Sequence, residues 1–526
     1  SKTAFFIFLL CFATSGIQAQ DDYITPAPDR ERGEGPFERL IIRGATMING
    51  DGGMPQGPVD IVIEGNTIEE IHSLGHPDAT IDEEDRPADA TREIDAEGMY
   101  VLPGFIDNHV HTGGKSKAPK AEYVYKLWLS HGITTVRGVS FGPLEWSLSE
   151  RARSANNEIT APRMVSYHTP GSGDEWDDRS IRTPEQAREW TRYANEEGVD
   201  GVKFFDRRPA IMEAIIDEAN ELDMGQTAHL PQTGVAQVNA LDAARMGMTG
   251  FTHFYGLFES MYEDRDVQPW PTDVNYNNEQ DRFGQVARQW KMIEPNGEKW
   301  NSVLDEFIER DYFINPTMVI YEASRNLSDS RNAVWHEEYT LPSMMDFYPP
   351  NLEDHGSYFF NWTTHDEVAW KNFYDRWMAF LDDYKDRGGR VTVGSDAGFI
   401  YKLYGFAYIQ EMELLQEAGF TPLEVIRAAT LHGAQEIFEP QGEPIRYGEI
   451  REGLLADLVL VDENPLENLK VLYGTGAMRL NKETDEIERV GGVQYTIKDG
   501  IVYDAQQLLK DVRQMVDRQE QDRDSE

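Results

Sequence analysis

The chain has 526 residues, of which 40% are apolar, and its 93 acidic and 49 basic side chains give a formal net charge of −44. A chain of this length and composition can build a barrel of about 250 residues plus a smaller domain, so we expect a folded protein rather than a disordered one. The acidic excess is spread along the chain, which indicates a solvated surface and excludes nucleic acid and anionic membranes as expected partners.

Residues 1–19 predict an export signal. Lys2 precedes a short apolar run that cannot span a membrane, and Ala19 stands at a cleavage position. We therefore expect an exported protein, periplasmic or secreted. The single cysteine, Cys11, falls inside this signal. The mature chain then has no thiol, so any metal must be held by nitrogen and oxygen ligands.

The segments that flank the middle of the chain have a β-rich texture. The charged, proline-rich stretch over 20–36 predicts a flexible, acidic lead-in. Short apolar alternations over 37–103, such as LIIRGATMI, predict strands, and a similar pattern returns over 441–504. We expect these two parts to form one small β-sandwich domain from both chain ends. Residues 505–526 predict an amphipathic helix with a polar tail.

Strand-like and helical runs alternate over 104–440. Two helix starts are clear, because Thr183 and Thr421 each precede a proline and have Gln or Glu three residues later. The alternation favours an α/β fold with a (β/α)8 TIM-like barrel over an open doubly wound sheet. The eight candidate strands are VLPGFID, TTVRGV, RMVSY, GVKFF, GQTAH, GFTHF, YFINPT and RVTVGSD.

Ionisable residues recur at the ends of these strands. The active sites of barrel enzymes lie at the C-terminal ends of the strands, and one ionisable group at each of several strand ends is costly without a charge to organise it. In an extended segment, residues two apart point to the same side, so the two histidines after the first strand can reach one ion. The residues in this pattern are His109, His111, Lys203, His229, His253 and Asp396.

At this point the chain resembles the amidohydrolase superfamily, in the branch of imidazolonepropionase-like enzymes and Xaa-Pro or Xaa-Arg/Lys dipeptidases. The resemblance covers most of residues 40–505. It rests on IDAEGMYVLPGFIDNHVH, HGITTVRGV, GVDGVKFF, TAHLPQTGV, GSDAG, TPLEVIRAATLHGA and GLLADLVLVDENPL taken together. It implies a distorted (β/α)8 barrel with a small β domain made from both chain ends.

The resemblance also implies a two-metal centre. Its residues map so that His109, His111 and Asp396 hold one divalent ion, while His229 and His253 hold the other. Lys203 would bridge them as a carbamate, since a free ammonium has no lone pair to offer. Zinc is the favoured metal, and manganese, cobalt or iron would suit the same ligands.

The expected reaction is hydrolysis of an amide-type bond by a hydroxide that bridges the ions. In this scheme Asp396 is the catalytic residue, which takes a proton and delivers it to the leaving nitrogen.

Other residues are candidates for substrate contact or for packing. His168 and Tyr255 are candidate substrate contacts, although the YHTPGSG sequence around His168 departs from the family's glycine-rich motif. His131 and His432 are expected to be structural. Gly138 stands where relatives often carry Asp, which puts a contact from that position in doubt. Long acidic segments follow the sixth and seventh strands, and they can form a lid over the barrel or pack a small core of their own. Packing in such a core is the favoured interpretation for most of their aromatic residues, which are Trp270, Trp335, Tyr339, Phe347, Tyr348, Phe359, Phe360 and Trp362.

Three functions compete. The first is an exported metal-dependent amidohydrolase that acts on a dipeptide or an N-acyl amino acid. The second is a hydrolase of lactones, carbamates or phosphotriesters with the same metals, and the third is a secreted binding protein with a disabled barrel. The expected partner is a small-molecule substrate, with neither nucleic acid nor membrane, and the sequence leaves a homo-oligomer open.

Overall fold

The computed structural model describes residues 23–525 apart from 78–79, 83, 85, 206–207, 266, 352–355, 357 and 360. The predicted export signal, the start of the lead-in and Phe360 lie outside the described residues.

The described chain begins and ends in β-structure, with alternating strands and helices between. The strands are β1 (Phe37–Met47), β2 (Gln56–Gly65), β3 (Thr67–Ser73), β4 (Arg92–Asp95), β5 (Tyr100–Pro103), β6 (Phe105–Val110), β7 (Ile133–Val139), β8 (Arg163–His168), β9 (Gly201–Phe204), β10 (Gly225–Ala228), β11 (Gly250–Thr252), β12 (Phe313–Asn315), β13 (Leu458–Val461), β14 (Ala477–Asn481), β15 (Glu486–Val490), β16 (Val493–Lys498) and β17 (Ile501–Asp504). The α-helices are α1 (Ala121–Leu129), α2 (Leu144–Ala155), α3 (Pro184–Glu196), α4 (Pro209–Glu221), α5 (Ala240–Arg245), α6 (Glu279–Val286), α7 (Glu298–Glu309), α8 (Met318–Tyr321), α9 (Leu327–Arg331), α10 (His336–Tyr339), α11 (Pro342–Phe347), α12 (Thr364–Asp386), α13 (Phe406–Glu417), α14 (Pro422–Ala429), α15 (Leu431–Phe438) and α16 (Ala505–Ser525).

Strands from both chain ends share one mixed sheet. Its order is β17-β16-β13-β5-β1-β2-β3, with β4 beside β1. Leu40 and Ile42 of β1 belong to the same buried cluster as Leu458 and Leu460 of β13, because alternate residues point to one face. The small β domain built from both chain ends is thus confirmed. In the described residues these eight strands form one mixed sheet, and β14 and β15 pair separately as a two-stranded sheet.

The predicted barrel is present, with seven parallel strands in the order β12-β11-β10-β9-β8-β7-β6. The segment over 390–396 closes it through backbone hydrogen bonds on both sides. Asn108 N donates to Val393 O at 2.9 Å, and Thr392 N donates to Ile314 O at 3.0 Å. The predicted TIM-like (β/α)8 architecture is therefore confirmed.

The first predicted strand needs a correction. VLPGFID divides at Gly104 into the end of β5, which pairs with β13, and the start of β6, which pairs with β7. A Cβ at Gly104 would clash with the Thr134 side chain, so the chain passes closely over the barrel where it changes sheet. One apolar run therefore serves two sheets.

Both predicted helix starts are confirmed. The Thr183 hydroxyl accepts a hydrogen bond from Gln186 N at the start of α3, at 3.2 Å. Thr421 and Glu424 form a reciprocal capping box at the start of α14. Within the described residues, no helix combines the length and apolar character that crossing a membrane requires.

The prediction of a flexible lead-in over 20–36 is wrong for the residues that the structure describes. Thr25 N donates to Pro119 O at 2.8 Å, and Glu34 N donates to Val502 O at 2.9 Å. Ile24 and Ala27 are buried in the main core. These backbone bonds and apolar contacts hold the segment against both the barrel and the β domain. The charged and proline-rich composition of the segment gave no sign of them.

Candidate metal centre

The six ionisable residues predicted from the strand ends line one cavity of about 220 Å³. It lies at the C-terminal ends of the barrel strands, since His109 is in β6, Lys203 in β9, and His229 and His253 directly follow β10 and β11. Asp396 ends the closing segment, where its backbone N donates to His109 O at 2.8 Å. Residues up to 287 positions apart in the chain thus meet at one mouth of the barrel.

Three side chains form the most compact group. His109, His111 and Asp396 bring one ligand atom each to within 4.8 Å of one another. Asp396 Oδ1 is 3.7 Å from His109 Nε2 and 3.4 Å from His111 Nε2. This arrangement offers two imidazoles and one carboxylate to a single cation.

The other two histidines adjoin this group. The His253 ring lies between its neighbours, with centroids 4.9 Å from His109 and 4.7 Å from His229. The His253 Nε2 atom is 3.9 Å from Asp396 Oδ2. The carboxylate of Asp396 therefore faces histidines through both of its oxygens.

Two histidine rings are oriented by contacts from the opposite side. Thr317 Oγ1 lies 2.5 Å from His253 Nδ1, and Ser140 O lies 3.3 Å from His111 Nδ1. Each contact leaves Nε2 to face the cavity, which is the usual way in which a protein fixes the tautomer of a metal-binding histidine. Sequence reasoning missed Thr317 and Ser140, because nothing in the local pattern marks a residue that acts through tertiary contact.

Backbone strain is concentrated at the same place. His253, Asp396, Thr317 and Ser140 all have positive φ, at 69°, 48°, 47° and 65°. Left-handed backbone is unfavourable for residues other than glycine, and it persists where the surrounding structure holds a functional geometry. The strained backbone therefore sets the side-chain directions of two candidate ligands, His253 and Asp396, and of the two residues that orient histidine rings.

Burial changes the protonation of the site. Lys203 is fully buried, and burial lowers the pKa of its amine to about 7. Burial, and then the charge of Lys203, hold the pKa of His109 well below its usual value. Near neutral pH, His109 is therefore a neutral imidazole with one ring-nitrogen lone pair to offer.

The chemistry of this donor set fits divalent metal ions. His109 Nδ1 is buried and has no hydrogen-bond partner, which is costly for a polar atom that no cation or donor satisfies. Four imidazoles, a carboxylate and a buried amine are nitrogen and oxygen ligands of the kind that zinc and similar ions prefer.

A buried network supports the strands that carry the ligands. Asp107 accepts hydrogen bonds from Ser395 Oγ at 2.6 Å and Ser395 N at 2.9 Å, which ties β6 to the closing segment. Below it, Arg137 pairs with Glu436 at 2.8 Å, and both side chains are fully buried. Glu436 also accepts from Thr392 Oγ1 at 2.9 Å. These contacts fix the spacing between His109 and Asp396.

The remaining cavity wall is mostly aromatic. Tyr255, predicted to contact substrate, lines the cavity with its ring centroid 4.5 Å from that of His229. Sequence reasoning did not single out the other residues of the wall, which come from loops after several different strands. These residues are Phe205, Phe283, Ile320, Tyr321, Gly356, Tyr358, Phe399 and Ile400.

His168 is not among the described residues that line the cavity, so its predicted contact with substrate needs correction. Its Nε2 lies 3.0 Å from Ser147 Oγ and 3.1 Å from Ser166 Oγ, and burial lowers the pKa of its ring to about 4. The ring packs between α2 and β8, outside the mouth of the barrel.

Two further histidines and Gly138 have structural roles away from the cavity. His131 Nδ1 donates to Leu127 O at 2.8 Å, and His432 Nδ1 donates to Val391 O at 3.1 Å, which agrees with their predicted structural roles. At Gly138 a side chain would collide with the Phe141 ring. The space that a larger residue would need is therefore already filled.

Apart from Phe360, which lies outside the described residues, the aromatic residues named in the two long segments do not line the cavity, as the favoured interpretation expected for most of them. Trp335 stacks on Phe406 with ring centroids 4.9 Å apart, and Trp362 stacks on Trp370 at 5.9 Å. The segments do reach the cavity, but through Phe283, which was not named. Tyr321 and Tyr358 do so as well.

Comparison with known proteins agrees with this fold. Residues 373–502 match the model of the amidohydrolase family. Over 109 residues the chain is 37% identical to N-acyl-D-aspartate deacylase of Alcaligenes xylosoxydans xylosoxydans, a match that covers 20% of this chain and 19% of that protein. The chain thus spans about a fifth of the length of this curated relative.

Solved structures resemble almost the whole chain. A Xaa-Pro dipeptidase with bound methionine has a TM-score of 0.57 at 19% identity, and covers 89% of this chain and 100% of that one. Bottromycin amidohydrolase has a TM-score of 0.60 at 18% identity, over 91% and 90% of the two chains. At these identities the likeness establishes the fold. Together with the family match, it confirms the amidohydrolase resemblance predicted from the sequence.

Proposed function

We propose that this amidohydrolase is an exported, metal-dependent hydrolase that cleaves an amide-type carbon–nitrogen bond in a small molecule. The observation that carries the proposal is the convergence of His109, His111, Lys203, His229, His253 and Asp396 on one cavity. The named relatives support the bond type, since a deacylase and a Xaa-Pro dipeptidase both release an acyl group from nitrogen.

In this proposal two divalent ions, with zinc favoured, occupy the site. His109, His111 and Asp396 would hold the first ion, and His229 and His253 the second. Lys203 would bridge them as a carbamate. The lowered pKa of its buried amine supports this role, because only a neutral amine has the lone pair that attacks carbon dioxide.

When bound, such ions lower the pKa of a coordinated water to about 7 and polarise the scissile carbonyl. The chain's own residues then move the proton. One oxygen of the Asp396 carboxylate accepts it from the attacking water, and the same residue delivers it to the leaving nitrogen. The residues that orient the rings, Thr317 and Ser140, keep the imidazoles in place during the reaction.

The alternative activity is hydrolysis of a lactone, carbamate or phosphotriester on the same donor set. A non-catalytic binding protein is a third reading, which the complete ligand set disfavours. A panel of dipeptides, N-acyl amino acids, lactones and phosphotriesters, assayed with the zinc-loaded protein, separates the three. Release of free amine, abolished by chelation and restored by zinc, is the expected result. Turnover of esters alone would favour the alternative, and no turnover of any class would favour the third reading.

A further inference from the structure

The cavity above the candidate ligands is walled by aromatic rings from two insertions that meet there. Phe283 belongs to α6, which follows β11, and Tyr358 belongs to the segment that follows β12. Their rings stack with centroids 4.2 Å apart and an interplanar angle of 30°. Tyr321 lies 6.3 Å from Phe283 and 5.7 Å from the His253 ring. The wall therefore reaches from the insertions down to the candidate ligands.

The wall is held by a second layer and is therefore preorganised. Tyr321 stacks on Trp370 at 6.1 Å with nearly parallel planes, and Tyr358 lies 5.5 Å from Trp362. Phe283, Tyr321 and Tyr358 are all buried. Rings fixed in this way lose little freedom when a ligand packs on them.

The polar atoms of the wall are neutral. Tyr321 donates to the Tyr255 hydroxyl at 2.7 Å, which leaves the hydrogen of Tyr255 to donate to a ligand oxygen. Ser324 donates to the Tyr358 hydroxyl at 3.0 Å in the same way. A tyrosine hydroxyl is uncharged near neutral pH, because its ordinary pKa is about 10.

The described lining of the cavity has few ionisable groups. Among the described residues that line the cavity, the ionisable side chains other than tyrosine are the six of the candidate metal centre. A substrate ammonium or carboxylate placed against the wall would lose its hydration, and the described residues of the wall offer it no opposite charge. An aromatic group would instead exchange water for ring contacts on several sides.

We propose that the part of the substrate bound in this cavity is uncharged and aromatic, so that an N-aryl-acyl or N-arylalkyl amide is preferred to a zwitterionic dipeptide. This inference rests on the proposed function and narrows its substrate class. The oxygen of the bound group would accept a hydrogen bond from Tyr255, and any charged end of the substrate would face solvent.

Matched pairs of substrates test the charge requirement. Phe-Gly and 3-phenylpropionyl-glycine differ only by the ammonium on the acyl side, and Gly-Phe and N-glycyl-phenethylamine differ only by the carboxylate on the amine side. We expect removal of the charge to raise kcat/KM at least tenfold in the pair whose aromatic end enters the cavity. If both removals lower kcat/KM or leave it unchanged, the inference is wrong.

Variants test the aromatic wall. Tyr358→Leu and Phe283→Leu should lower the preference for an aromatic over an isosteric cyclohexyl substrate about threefold or more, the effect of losing one aromatic pair. Tyr358→Phe should retain the preference for the aromatic substrate, because it keeps the ring. Trp335→Leu is the matched control, since that ring stacks on Phe406 away from the cavity. If Trp335→Leu lowered the preference for the aromatic substrate equally, the effect would come from general loosening of the insertions, and the proposed contact of the substrate with Phe283 and Tyr358 would be wrong.

Binding separates failure of this inference from failure of the proposed function. 3-Phenylpropan-1-ol and phenylalaninol differ only by an ammonium, and neither has a bond for the enzyme to cleave. Calorimetry with the zinc-loaded protein should show at least tenfold tighter binding of the uncharged alcohol, even if no amide is hydrolysed. Equal or weaker binding of the uncharged alcohol would overturn the inference, whatever the activity.

Discussion

Replacement of Asp396 by Asn separates the proposed proton transfer from folding. Asp396 has a φ of 48° in the left-handed region, which Asn tolerates better than most residues. Its backbone N donates to His109 O at 2.8 Å, a bond that the substitution preserves. The free energy of unfolding should therefore change by less than about 1 kcal/mol. Asp396→Ala keeps the same backbone without a polar side chain, and should cost about 1–2 kcal/mol.

The effect on catalysis should be much larger. Asn retains one weak oxygen ligand but cannot accept the proton, and general acid–base catalysis contributes about 10²–10⁴ in rate. That range corresponds to about 2.7–5.5 kcal/mol of transition-state stabilisation. The assay measures kcat at saturating amide substrate, with urea unfolding and metal content on the same preparations. A variant that hydrolyses the amide at the unmodified rate would refute the role of Asp396.

Three further outcomes are expected. Lys203→Ala should lose activity and metal together and regain part of both with a short carboxylic acid, and failure of rescue together with an unmodified lysine in the active protein would contradict the bridging role. Glu436→Gln should lower the free energy of unfolding by about 3–5 kcal/mol, because it leaves Arg137 buried without its charge partner; a loss below 1 kcal/mol in urea would refute this. The stability contributed by three buried histidines should be fully present above pH ~6.5 and fall as the pH drops towards 4. Histidines of the unfolded chain protonate near pH ~6.5, whereas burial lowers the pKa in the folded protein to about 4 for His131, His168 and His432. Urea midpoints that stay constant over this range would contradict the burial of these histidines as neutral rings.

Much of the barrel and its six candidate ligands could be predicted from the sequence. Strand period and capping signals are local, and the C-terminal end of a parallel strand fixes where its last residues lie. His229 and His253 could therefore be placed at one mouth without knowledge of any contact between them. The ends of seven predicted strands agree with the structure to within a few residues, whereas the eighth, RVTVGSD, is not a strand and closes the barrel through single backbone hydrogen bonds.

What the sequence did not reveal depends on tertiary contact. Thr317 orients His253 from 64 positions away, and no periodicity marks such a pair. Phe283 and Trp335 are both aromatic residues of acidic insertions, but only the packing of the insertions decides which ring faces the cavity. His168 ends the barrel strand β8, but it contacts two serine hydroxyls and does not line the cavity.

Metal analysis of gently purified protein tests the central claim most directly. The account predicts about two divalent ions per chain in the unmodified protein and about one in a His229→Ala, His253→Ala double variant, which leaves the group of His109, His111 and Asp396 intact. A protein that binds no divalent ion and hydrolyses amides equally well in the presence of chelators would contradict it.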